Sequence, residues 1–254
     1  MNNKVQQEND FWSEIFLKEI KKKDNKLFSS YWWEDYYQEM QKIIVNLIDF
    51  NSDSKILEVG SGSGKGSYML NTKSEITLLD ISDEALNFAQ HLSKKLEVKN
   101  KISYIQGDAF DLSLLKEKYD LVWSIGFVEH YNLREIGKLV SEMISVTEKD
   151  GYLIVAVPNR ISGPIIKAWL LKQLKFIPGY KLDTERFYSD SEITNLIKNE
   201  ITNSNREIVV SHRKYCGSPL IMESPKFITT LLKTFINKYF YKFKFLKMYI
   251  YKIK

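Results

Sequence analysis

Between positions 58 and 66 the chain reads Glu-Val-Gly-Ser-Gly-Ser-Gly-Lys-Gly, an acid followed by glycine at 60, 62, 64 and 66. Residues without a Cβ let backbone N–H groups close on a bound ligand, and a helix that begins after such a loop turns its positive end toward the same place. Further along stand Asp80, Asp108 and Glu129, with His130 beside the last. A carboxylate at the position of Asp80 can accept both hydrogen bonds of a ribose diol; it can equally cap the helix that follows. Asp108, within Gly107-Asp108-Ala109, can accept from an adenine amino group. Glu129 and His130 are candidates for taking a proton from a hydroxyl, histidine having a suitable pKa range; His130 could instead cap a helix or pack against its loop. Together these residues could hold a nucleoside-bearing ligand and move a proton next to it.

Two common phosphate-binding loops do not fit. A P-loop needs Gly-x4-Gly-Lys-Ser/Thr, but Val59 stands five before Gly64 and Gly66 follows Lys65. The dinucleotide fingerprint Gly-x-Gly-x-x-Gly meets Lys65 or Ser67 where its third glycine belongs. What remains is Glu-x-Gly-x-Gly-x-Gly.

The elements that must position these residues are short and apolar. Strands are predicted at 56–59, 75–80, 102–106, 119–124 and 150–157, each delivering its polar residue at the carboxyl end. Ser82 is a plausible N-cap for a helix over 83–96, and Asn132-x-x-Glu135 gives a capping-box start to a helix reaching about 147. Strands and helices alternate from 55 to 157, as in a parallel sheet covered on both sides. Residues 1–50 read as helical: Phe11, Trp12, Ile15, Phe16 and Ile20 recur at helical spacing up to Lys21-Lys22-Lys23, and the aromatic run Tyr31–Tyr37 leads into a helix over 40–50. Residues 160–188 interrupt the alternation, with a hydrophobic helix over 164–176 broken by Pro178-Gly179. Ser189-x-x-Glu192 starts another helix near 191–199, a sixth strand is expected at 207–212, and 219–240 reads as largely helical. The tail 243–254 mixes lysines with aromatic and aliphatic residues. It is either a basic surface for membrane or nucleic acid or, by its β-prone alternation, a last strand; the strand is favoured.

With these motifs in order, the chain resembles class I S-adenosylmethionine-dependent methyltransferases over residues 50–160. Residues 57–64 look like their first motif, Leu79-Asp80 the second, Gly107-Asp108-Ala109 the third, 119–124 the fourth, and 150–159 the fifth strand and its exit. The resemblance implies an α/β fold: a Rossmann-like seven-stranded, mostly parallel sheet with helices on both faces and an antiparallel seventh strand near the tail. It divides the chain into an N-terminal helical cap (1–50) and a methyltransferase domain (51–254) with a helical insertion at about 160–190. It also implies S-adenosyl-L-methionine as cofactor, held by Glu58, Gly60, Ser61, Gly62, Asp80, Ile81, Asp108, Ala109 and Ile125. The glycine loop would take the methionine part, Asp80 the ribose and the Asp108 region the adenine, with Glu58 ordering the loop rather than acting as a base.

The stretch 126–130 resembles the Glu-x-x-Glu-His element with which ubiquinone-pathway O-methyltransferases bind a divalent metal. This chain keeps Glu129 and His130 but has Gly126 in place of the first acid, so no metal is expected. Tyr31-Trp32-Trp33 is similar to an aromatic pair in the same family. Trp32, Trp33 and Tyr36 are candidates for a lid over the sulfonium or the acceptor, since aromatic faces attract cations, with ordinary helix packing as the alternative.

Composition bounds the rest. With 254 residues, 44% of them hydrophobic, the chain can build a sizeable core. The lone Cys216 forms no internal disulfide, and one Cys with three His does not make a usual zinc site. The polar start and the lack of an 18-residue apolar run point to a cytoplasmic protein with no membrane span. A charge of +5 is mild, and no nucleic-acid partner is expected; oligomeric state cannot be read. The expected activity is in-line methyl transfer to a small molecule at oxygen or nitrogen, with Glu129 and His130 as catalytic candidates. The rival readings are a nicotinamide-dependent oxidoreductase, which the glycine spacing and Asp108 disfavour, and a non-catalytic module that keeps the fold to regulate a partner.

Overall fold

The computed structural model describes residues 10, 13, 14, 16, 17, 31–173 and 185–254. Its helices are α1 (Tyr31–Val45), α2 (Lys65–Tyr68), α3 (Asp83–Lys95), α4 (Leu133–Val146), α5 (Gly163–Gln173), α6 (Asp190–Asn203) and α7 (Lys226–Tyr239). Its strands are β1 (Lys55–Val59), β2 (Glu75–Asp80), β3 (Ile102–Gln106), β4 (Tyr119–Ile125), β5 (Thr147–Pro158), β6 (Ile208–Cys216) and β7 (Leu246–Ile253). The seven strands form one sheet in the order β3-β2-β1-β4-β5-β7-β6, parallel except for β7, which runs antiparallel to both of its neighbours.

Alternation along the central strands divides the core between the two faces of the sheet. Leu57, Val59, Val122, Leu153 and Val155 point to one face, where Ile136, Leu139, Val140 and Met143 of α4 and Ile193, Ile197 and Ile201 of α6 cover them. Ile56, Leu121, Trp123, Ile154 and Ala156 point to the other, beneath Trp32, Tyr36, Met40 and Ile44 of α1 and Ile165 and Ala168 of α5. Burial on both faces explains why β1, β2 and β4 read as continuous apolar runs.

Local signals place several helix starts. Ser82 accepts from the Ala85 N–H at 3.1 Å. Asn132–Glu135 and Ser189–Glu192 are reciprocal capping boxes. The tail is the β-strand that its alternation favours, paired along its length with β5 and β6.

Other boundaries move. The aromatic run does not precede a helix at 40–50 but is the first half of α1, because Trp32, Tyr36, Met40 and Ile44 form one inward stripe at four-residue spacing. Residues 219–225 are not helical: the Gly163 N–H donates to the Pro219 carbonyl at 2.8 Å, and α7 begins only after Pro225. β5 starts three residues earlier than expected and β6 runs four residues further. Phe11, Trp12, Ile15, Ile20, Lys21-Lys22-Lys23, Phe176 and Pro178-Gly179 lie outside the described residues. Among the described residues no helix is long and apolar enough to cross a membrane.

Candidate active site

The strand order reverses between β1 and β4, and the crevice beyond the carboxyl ends of adjacent strands at such a point is where open α/β sheets bind ligands. A cavity of about 210 Å³ lies there. β1 leads directly into its floor. Gly60, Gly62 and Gly64 all have φ between +50° and +65°, the left-handed region that glycine enters without strain. At Gly60 the space is also closed: a Cβ would lie 2.4 Å from the Phe127 ring.

Glu58 sits below this loop and not in the cavity wall. Its Oε2 accepts from the Ser67 N–H at 3.1 Å and the Ser67 hydroxyl at 2.6 Å, and Trp123 Nε1 donates to the same hydroxyl at 3.2 Å. Burial pushes the Glu58 carboxyl up to about 7, and the two Ser67 hydrogen bonds only partly oppose it. Asp80, at the end of β2, binds across to the loop: Oδ2 accepts from the Gly62 N–H at 2.8 Å and Oδ1 from the Ser82 N–H at 3.0 Å. Burial raises its carboxyl above the usual range, against those backbone donors. One carboxylate therefore fixes both the glycine loop and the start of α3. Asp108 is half-buried and folds back to accept from the Phe110 N–H at 2.9 Å.

Gly60, Ser61, Gly62, Asp80, Ile81, Asp108, Ala109 and Ile125 all line the cavity, so eight of the nine residues assigned to the cofactor converge on one space; Glu58 alone stands behind it. Ser61 carries a further mark, since its Oγ is buried without a hydrogen-bond partner. An unmet buried hydroxyl on a cavity wall is a group that a bound polar ligand would satisfy.

Sequence reasoning missed the aromatic side of the cavity. Phe127, Tyr131 and Phe16 also line it. Phe127 and Tyr131 meet edge to face at 5.2 Å, and Phe110 packs on Tyr131 at 5.0 Å. The available signal was position: Phe127 and Tyr131 follow β4 in a segment already read for its acid and histidine.

Glu129 and His130 occupy the single helical turn Val128–His130 after β4. Neither lines the main cavity. Glu129 is buried just behind it, with Oε1 3.6 Å from where a Gly126 Cβ would lie and Oε2 without a partner. It borders a neighbouring space of about 20 Å³, enough for one water. Burial pushes its carboxyl up to about 8. Burial also lowers the His130 pKa, and Glu185 opposes this.

The aromatic lid does not form over this cavity. Trp32 and Tyr36 are buried in the core under α1, stacked at 5.8 Å, and Trp32 Nε1 donates to the Leu220 carbonyl at 3.2 Å. Trp33 packs edge-on against Trp32 and Tyr36. The helix-packing alternative accounts for all three. Cys216 is buried, and its thiol is pushed well above its ordinary value by burial, which leaves it unreactive. Among the described residues no three His, Cys, Asp or Glu side chains cluster as a metal would require.

A seven-stranded sheet of this order, with a glycine loop after β1 and acids closing β2 and the loop after β3, defines the class I methyltransferase architecture. The chain belongs to the methyltransferase-domain family, whose profile matches residues 50–215. It is 26% identical over 130 residues to a sterol 24-C-methyltransferase of Candida albicans, a stretch covering 49% of this chain but only 34% of that enzyme. It is 24% identical over 197 residues to a protein-lysine N-methyltransferase of Saccharomyces cerevisiae, covering 70% of this chain and 86% of that one. In structure it is similar to magnesium protoporphyrin IX methyltransferase from Synechocystis, solved with bound SAH: the TM-score is 0.60 at 14% identity, covering 97% and 98% of the two chains.

Proposed function

We propose that this protein transfers the methyl group of S-adenosylmethionine to a small-molecule acceptor at oxygen or nitrogen. The observation that carries the reading is the convergence of the glycine loop, Asp80, Asp108 and the unmet Ser61 hydroxyl on one cavity. The residues present fit the cofactor: Asp80 for the ribose diol, the Asp108 region for the adenine, the loop from Gly60 to Gly62 for the methionine part. When bound, the cofactor supplies an electrophilic methyl group on a sulfonium with a good leaving group.

The protein's part is then to orient the acceptor and exclude water, effects together worth roughly 7–11 kcal/mol in well-aligned reactions. Phe127 and Tyr131 give the cavity a dry wall. Burial lowers the His130 pKa; the imidazole does not line the cavity, so a role as base requires an acceptor hydroxyl that reaches past the cavity wall to the turn after β4. Glu129 stands behind the cavity wall, and burial pushes its carboxyl up to about 8, which disfavours it as the base near pH 7.

A second reading, a protein lysine as acceptor, is favoured by the coverage of the yeast relative. Turnover of labelled cofactor against phenols, amines and a lysine-rich protein separates the two. For the cofactor itself, calorimetry with S-adenosylhomocysteine should show a single site whose affinity falls at least tenfold in Asp80→Ala. Folded protein that binds neither cofactor nor product would overturn the proposal.

A further inference from the structure

The outer surface of α7 is built unlike the rest of the molecule. Phe227, Leu231, Phe235 and Tyr239 recur every four residues and are 69%, 77%, 52% and 61% exposed. At 3.6 residues per turn they form one stripe along the helix. The buried residues Thr229 and Ile236 lie on a different side, so α7 has a wide apolar arc of which the protein covers only one edge. The stripe continues past the helix into Phe240 and Phe243, 41% and 43% exposed, the first 5.7 Å from the Phe235 ring and 5.8 Å from that of Phe243. α5 shows the same habit, with Ile166, Trp169 and Leu170 about half exposed. The two helices are joined through the loop before α7, by the Gly163 N–H to the Pro219 carbonyl and by Lys167 to Glu223 at 2.5 Å.

Charge selects the partner. Residues 224–254 contain eight lysines and no acid. Lys244 is buried against Glu39, Lys247 pairs with Asp190 and Lys252 of β7 lies over Tyr152, so Lys226, Lys233, Lys238 and Lys242 are the ones on or just after α7. The whole chain is only +5, so the remainder is net negative and the excess of positive charge falls in the two segments that carry the exposed apolar side chains. Lys226 lies over the Tyr31 ring, Lys238 over Tyr239, and Lys233 pairs with Asp35; among the described residues no carboxylate pairs with Lys238 or Lys242, which stand beside the stripe. A helix with lysines beside large aliphatic and aromatic residues lies in the plane of a bilayer interface, apolar stripe down, and is drawn there by anionic headgroups. A nucleic-acid surface would need the bases but not a row of exposed Leu, Phe and Trp.

We infer that α7, extended by Phe240 and Phe243 and flanked by α5, is an interfacial docking face by which this protein binds the surface of an anionic lipid bilayer. Trp169 and Tyr239 suit the headgroup level, where amphipathic rings collect. The face lies outside the glycine-loop cavity, so the inference does not depend on the cofactor reading.

The test is co-sedimentation of the full chain, without cofactor, with vesicles of phosphatidylglycerol and phosphatidylcholine or of phosphatidylcholine alone. Binding to the anionic vesicles is expected, weakening as salt is raised. It should fall at least tenfold in the double variant Leu231→Glu/Phe235→Glu and severalfold in Lys238→Glu/Lys242→Glu. Both pairs are exposed, and circular dichroism should show an unchanged fold. Brominated lipid should quench Trp169 fluorescence, a signal lost in Trp169→Phe. Equal binding by the wild type and the Leu231/Phe235 variant, or no binding to anionic vesicles, would overturn the inference. So would a concentration-dependent dimer that the same variant abolishes, or salt-sensitive RNA binding with no vesicle binding.

Discussion

Glu58 accepts two hydrogen bonds from Ser67 and still has its carboxyl lifted to about 7, while Glu129, with one oxygen unmet, reaches about 8. In both, burial is the largest cause. The unfolded chain ionises these groups near 4.5. Between that pH and the folded-state values the native state therefore holds more protons than the unfolded state, and stability falls as pH rises through the window. The penalty is absent below about pH 4.5 and complete above about pH 8. Glu129→Gln removes one titrating group from this window. We expect its urea midpoint to exceed that of the wild type at pH 8 and to match it near pH 4.5. A constant offset at both pH values would mean that Glu129 is ionised in the fold. At this scale the acids were legible because each stands at a strand end. Phe127 and Tyr131 were not, because an aromatic residue in a loop carries no mark in its sequence of which way it faces.

Elements whose ends are set by contacts within four residues were readable, and those set by distant contacts were not. Ser82, Asn132 and Ser189 cap helices through neighbours in the chain, so their spacing suffices. The start of α7 depends on Pro219 meeting Gly163, some fifty residues away, and the length of β6 depends on β7. α1 was broken too early because its aromatic residues resemble a separate cluster until their common inward face is seen. The caps make a quantitative prediction. Ser189→Ala and Asn132→Ala should each lower stability by about 1 kcal/mol, within the usual cap range of 0.5–2. Chemical denaturation would show this as a shift in midpoint with an unchanged slope. Because α6 covers α4 and not the cavity, Ser189→Ala should leave cofactor affinity as it was.

The molecule as a whole is one sheet with a helical layer on each face and its ligand crevice at the reversal of strand order. The motif series made that architecture legible, including the antiparallel seventh strand. What the motifs could not convey is the surface: a stripe of exposed apolar residues on α7 follows the same periodicity as a buried one, and only the packed structure shows which face is covered. A ligand that binds only the folded protein stabilises it by mass action, about 2.7 kcal/mol at a hundred times its dissociation constant. For a chain of 254 residues this corresponds to a rise of about 5–10 °C in the unfolding midpoint. Differential scanning fluorimetry with S-adenosylhomocysteine should show this rise. Asp80→Ala should lose most of it.

The sheet order also constrains how the protein comes to be folded. Among the described residues β6 pairs with β7 alone, and β7 enters between β5 and β6 although it is made after both. While a ribosome is still adding residues 217–245, the finished β5 has an open edge and β6 has nowhere to dock. Unpaired edges of that kind attract other chains. During synthesis this half of the sheet is therefore the one whose edge stays open longest, whereas β1 to β4 can already pair with each other.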